Sequence, residues 1–150
     1  MAACSSVKVD ADYETDTDFE FYTTYAWAPQ PAPNTPLISD LVVERIKSAV
    51  DRELGVKGLK KDVPDQASMQ VKYRISIAEK LQVNDPYYAY NQFQTYEEGT
   101  LLLDFVDTKT RNLVWRGSGQ TRLKELKTPE ERTQRINKVV GAILDQYPPK

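Results

Sequence analysis

At 150 residues the chain has the length of one domain, enough to bury a core without disulfides or metals. Hydrophobic residues at 40% and charged residues at 28% exclude disorder throughout, and no run approaches the ~18 apolar residues of a membrane-spanning helix. A net charge of −2 argues against nucleic-acid binding. The absence of histidine removes the usual general base and metal ligand, and the single Cys4 excludes an internal disulfide or a cysteine-rich zinc site.

The first residues, Met1-Ala2-Ala3-Cys4-Ser5-Ser6, place two small side chains directly before the cysteine. That is the pattern at the end of a bacterial lipoprotein signal, where the cysteine sulfur carries the lipid. The residues alone leave two readings open: a signal remnant without its charged and apolar part, or an ordinary cysteine in a frayed terminus. Residues 1–6 are expected to be the signal remnant and tether, and residues 7–150 a single α+β domain.

Val7 to Glu14 reads as an edge strand whose acids face solvent. Asp10-Ala11-Asp12 and Asp16-Thr17-Asp18 resemble parts of a calcium loop but lack its turn glycine and closing glutamate, so no metal site is expected. Tyr22 to Ala28 is rich in aromatic and β-branched residues and reads as a second strand with core aromatics. Pro29, Pro31, Pro33 and Pro36 then impose an extended linker. Thr35 is the expected cap of a helix with Pro36 in its first turn. Leu37, Leu41, Ile46, Ala49, Val50 and Leu54 form its apolar stripe, and Gly55 or Gly58 its end.

Ser68 to Val83 alternates apolar and polar residues and reads as a long strand with one wet face. The segment Asp85 to Tyr96 has no clear period and carries Tyr87, Tyr88, Tyr90, Phe93 and Tyr96 among polar residues. It is the candidate partner-binding surface, since tyrosine gives contact area at low entropic cost; the other reading has these rings fold back over an open sheet face. Glu98 to Asp107 and Leu113 to Gly117 form a β-hairpin around a polar turn in which Asn112 tolerates positive φ, and the second strand continues to Leu123. Ser118 between Gly117 and Gly119 faintly resembles a nucleophile elbow, but no histidine exists to activate it. The two glycines are expected to admit a neighbouring helix or backbone.

Thr128-Pro129-Glu130-Glu131 is a strong helix start with a capping box. Ile136, Val139, Val140, Ile143, Leu144 and Tyr147 give the second apolar stripe, and Pro148-Pro149 its stop. The predicted fold is an α+β two-layer sandwich: one mixed, mostly antiparallel sheet of about five strands, with two amphipathic helices on one face. Charge is uneven along it. Acids crowd Val7 to Glu20 and bases Lys109 to Lys138, which fits solvated faces of a strand and a helix, or contact with an anionic surface.

These residues, in this order, resemble the bacterial lipoprotein family catalogued as domain of unknown function 4136. The resemblance runs through Ala2-Ala3-Cys4, Asp18-Phe19 with Tyr22 and Thr24 to Trp27, Glu98-Gly99-Thr100-Leu101, Asp104 to Asp107, Leu113 to Gly117, Pro129, and Tyr147-Pro148-Pro149. It implies a lipid on Cys4 in the natural precursor and, with no acid after the cysteine, an outer-membrane address facing the periplasm. It implies no activity. Tyr87 to Tyr96 departs from the glycine-rich loop expected there, so no binding role is carried over for it.

The expected function is therefore a non-catalytic envelope lipoprotein, without cofactor, that binds an envelope protein or cell-wall glycan through the aromatic segment or the open sheet face. The alternatives are a structural protein of envelope integrity, or a hydrolase built on Glu98, Asp104 and Asp107, whose carboxyls would need to stand roughly 5–10 Å apart across one cleft.

Overall fold

The computed structural model describes residues 6–31, 33, 38–82 and 94–150. Six strands form one sheet: β1 (Lys8–Tyr13), β2 (Thr24–Trp27), β3 (Lys60–Lys61), β4 (Met69–Gln82), β5 (Gln94–Asp107) and β6 (Leu113–Leu123), in the order β1-β6-β5-β4-β2-β3. Helices α1 (Asp40–Val56) and α2 (Pro129–Leu144) share a single core cluster with the sheet. The expected sandwich is present, with one strand more than expected. The addition is β3, two exposed lysines paired with β2 that carry no apolar pattern to betray them.

Pairing is antiparallel across β1, β6, β5 and β4, and parallel where β2 meets β4 and β3. Helix α1 lies in the connection between the parallel neighbours β2 and β4. Pro29 has no N–H to continue the β2 ladder. The side chain of Gln30 takes over instead: its Nε2 donates to the Tyr73 carbonyl at 2.9 Å and its Oε1 accepts from the Tyr73 N–H at 3.0 Å.

Several local expectations need correction. Helix α1 begins four residues after the predicted cap: Ser39, not Thr35, accepts from the Val42 N–H. Its stripe uses Val43 in place of Leu41, which is 65% exposed. Of the two candidate stop residues, Gly58 adopts the left-handed conformation at φ 90°. In the hairpin turn Arg111, not Asn112, takes positive φ, at 65°. Tyr147 lies beyond the end of α2 but is buried, its ring 4.8 Å from Phe105 and 5.4 Å from Trp115 between centroids.

The start of α2 follows its sequence closely. Thr128 accepts from the Glu131 N–H at 3.2 Å, and Glu131 returns the bond one residue early, to the Lys127 N–H at 2.9 Å.

The helix-facing side of the sheet is graded from one end to the other. Cross-strand rows Val71–Phe105–Trp115 and Tyr73–Leu103–Gly117 lie at the hairpin end, followed by Ile75–Leu101–Gly119 and Ile77–Gly99–Thr121. Bulk falls along this series. Trp115 lies over Gly117, and a Cβ there would collide with its indole and stand 2.7 Å from Ile143 Cγ2 of α2. Both glycines of β6 therefore admit neighbours, as their sequence context implied. Trp115 Nε1 finds no hydrogen-bond partner among the described residues, so dense packing here outweighs an unsatisfied donor.

The hairpin turn is tied to the aromatic segment before β2. Asp107 accepts from the Tyr22 hydroxyl at 2.7 Å and from the Lys109 and Thr110 N–H groups at 2.8 Å each. Burial works to raise the Asp107 carboxyl, and these bonds, led by Thr110, outweigh it and hold the pKa below the usual carboxylate range. A depressed carboxylate contributes stability above its unfolded pKa of about 3.9, and loses it as pH falls through the folded value.

Two outcomes are expected in urea unfolding. Gly117→Ala loses about 1–3 kcal/mol, because neither Trp115 nor Ile143 has room to retreat. Asp107→Asn loses about 1–2 kcal/mol at neutral pH, and its deficit against the parent closes below about pH 4.

Candidate functional site

The carboxylates considered for catalysis do not converge. Glu98 and Asp104 sit on the face of β5 away from the helices, six residues apart and so about 20 Å along the strand. Asp104 is held by Arg116, whose Nε and Nη2 donate to its two oxygens at 2.6 and 2.7 Å. Hydrogen bonding to Asp104 chiefly raises the guanidinium further above its ordinary value. Asp107 is engaged by the turn and Tyr22. Asp51 accepts from Tyr25 Oη at 2.8 Å, Trp27 Nε1 at 2.9 Å and Lys61 Nζ at 3.1 Å, fastening α1 to the β2–β3 edge. Burial first, and the bond to Asp51 second, push the Tyr25 hydroxyl well above its ordinary range. The hydroxyl of Tyr25 is thus a structural donor.

Among the predicted site residues, Cys4, Tyr87, Tyr88, Tyr90 and Phe93 lie outside the described residues. Tyr96 is described, and it belongs to β5, not to an irregular segment. The guanidinium of Arg122 stacks over its ring at 4.3 Å on the open sheet face. Ser6, Lys8, Glu98 and Gln120 surround the pair and complete a shallow depression of about 410 Å³.

A more apolar concavity lies on the other side of the sheet. Where the rows run out of bulk, α1 and α2 still span the sheet, and a cavity of about 490 Å³ remains between them. Its floor is Ile75, Ile77, Gly99, Leu101, Gly119 and Thr121; Val42 and Ile46 of α1 and Ile136 and Val139 of α2 form the walls. The volume and the apolar lining are those of a small-molecule site. Sequence reading missed it, because a cavity is made by side chains that are absent. Its signal is Gly99 opposite both Ile77 and Thr121, a lean row in an otherwise apolar strand.

Helix α1 contributes its N-terminal half to this cavity, as does α2, so both helices start at the lean end of the sandwich. The chain enters there too: Lys8 of β1 pairs with Gln120, next to Thr121 of the cavity floor. The cavity and the start of β1 thus lie at the same end of the sheet.

Residues 9–149 match the family described as Domain of unknown function (DUF4136). The chain belongs to this family. No curated protein matches this DUF4136 chain in sequence. Its fold is similar to part of a PDZ domain protein from Parabacteroides distasonis, with a TM-score of 0.67, 13% identity, and coverage of 97% of this chain but only 36% of that one. It is also similar to PelC from Paraburkholderia phytofirmans, solved as a dodecamer, with a TM-score of 0.57, 9% identity, and coverage of 93% and 95% of the two chains. At these identities the likeness is one of fold.

A contrast between glycines tests whether the cavity is open space. A Cβ on Gly99 meets the tip of Leu123 at 3.1 Å, and Leu123 itself lines the cavity and can yield into it. Gly99→Ala is therefore expected to unfold in urea within about 1 kcal/mol of the parent. A loss as large as that of Gly117→Ala would mean the cavity is closed.

Proposed function

We propose that this DUF4136 chain is a lipid-tethered protein of the bacterial envelope that works as a non-catalytic binding module. The observation that carries the reading is the apolar cavity between the helices and the lean end of the sheet, a concavity without a converging acid–base pair. The carboxylates nearest to a catalytic arrangement are consumed in fastening the fold, and the chain has no histidine to take their place. A site of this kind fits binding and release.

The tether reading rests on Ala2-Ala3-Cys4, whose thiol can take a thioether-linked lipid. Family membership, shown over residues 9–149, is consistent with it. The outer membrane, seen from the periplasm, is the address that Ser5 and Ser6 favour over retention at the inner membrane.

The test is fractionation and intact mass of the protein expressed from its natural reading frame in its native cell. The expected outcome is a membrane-bound chain beginning at Cys4 and heavier by acyl groups, with Cys4→Ser shifting the protein to the soluble fraction. An unmodified parent chain in the soluble fraction would remove the tether and reopen a cytoplasmic role.

A further inference from the structure

Apolar walls do not account for the mouth of the cavity, which is cationic. Arg45 of α1, Arg132 and Arg135 of α2, and Lys124 of the β6–α2 connection all line it, against one carboxylate, Glu97. Among the described residues none of these four cations is ion-paired to a carboxylate. Arg132 Nη2 donates to the Leu126 carbonyl at 3.0 Å and Arg135 Nη1 to the Lys124 carbonyl at 3.3 Å. Each such bond occupies one of the five N–H donors of a guanidinium and fixes its direction. Burial lowers the Arg135 guanidinium from its ordinary value, as expected of a cation withdrawn from water without a carboxylate beside it. The N-terminus of α1, whose cap Ser39 also lines the cavity, adds its positive dipole end to the same place.

The geometry points to one occupant: an amphiphile with a single acyl chain and an anionic head. The chain lies over Ile75, Ile77 and Leu101, and the head meets Arg132 and Arg135 at the mouth. The two halves of the site exclude simpler ligands. A small anion leaves about 490 Å³ of apolar space unfilled, and a neutral hydrocarbon leaves the cations without a partner. At roughly 30 Å³ for a methylene-sized group, taken as the share of one water in the liquid, the space holds on the order of 16 such groups, the bulk of one long acyl chain. Carboxylate and phosphate heads both suit a guanidinium pair by forked hydrogen bonding. This rests on the reading of the cavity as a binding site and deepens it.

The test is titration of the full unlipidated chain with hexadecanoate, hexadecyl phosphate and hexadecan-1-ol, each below its aggregation threshold, by displacement of a fluorescent acyl probe. Saturable one-to-one binding of either anion, at least tenfold tighter than the alcohol, is the expected result; the tighter anion names the head group. Arg132→Gln with Arg135→Gln is expected to weaken the anion tenfold or more and leave the alcohol unchanged. Val42→Trp, which fills the cavity from α1, is expected to weaken all three.

Because Arg132 and Arg135 also hold the β6–α2 connection, Arg45→Gln serves as the second charge variant; Arg45 makes no such bond among the described residues, and the same selective loss in smaller degree is expected. The inference is overturned if the folded parent binds none of the three. It is also overturned if the alcohol binds as tightly as the anions, or if acetate and inorganic phosphate compete as well as hexadecanoate. Since the chain used carries no lipid, failure here leaves the tether standing, and failure of the tether leaves this binding intact.

Discussion

The close approach of α2 to β6 governs the rest of the structure. Gly117 and Gly119 carry no Cβ where the helix descends, and Ile143 occupies the space, within 2.7–2.9 Å of where a Cβ would stand at each position. This lets the Trp115 indole lie over its own strand and meet Phe105 at 4.8 Å between ring centroids, with Tyr147 closing the group from beyond the helix. Packing of this density around fully buried aromatics fixes the C-terminal half of α2. Its N-terminal half has no comparable mass beneath it. A dense end and a hollow end are thus two results of one grading of side-chain size along the same strands.

Legibility in the sequence followed the same grading. Where side chains are large and regularly spaced, as in β4, β5, β6 and the stripe of α2, the two-residue and helical periods identify the elements directly. Thr128-Pro129 announces α2 because the cap and the proline act locally, without help from tertiary contacts. The start of α1 was not legible to the residue, because Thr35 and Ser39 are both competent caps by residue type and local sequence does not choose between them. Two lysines become a strand only because β2 offers them an edge. The role of Asp51 carries no local signal, because its three donors come from side chains 10–26 positions away. The cavity was the least legible, since neither composition nor periodicity records a missing volume.

The polar groups fall into two kinds, and the division bears on function. Asp51, Asp104 and Asp107 each receive two or more charged or neutral donors, so their lone pairs are committed within the fold. Arg45, Arg132 and Arg135 have no such carboxylate partners among the described residues, and they gather at the hollow end. Anionic capacity is spent internally while cationic capacity is left facing outward. A chain with a slightly negative net charge therefore presents a positive rim at one place, a contrast that total charge conceals.

The sheet is open, so it has two edges, and both are poor templates for another strand. β1 alternates Lys8, Asp10 and Asp12 along its outer course, and β3 is only two residues long, both lysine. An approaching copy would have to desolvate charges at every second position on one side and would find almost no ladder on the other. Strand-by-strand polymerisation is thereby discouraged without closing the sheet into a barrel. Crowding many copies together would bring them into contact through helices, loops or the open face, and the molecule would keep its monomeric hydrogen-bond pattern even at high local density.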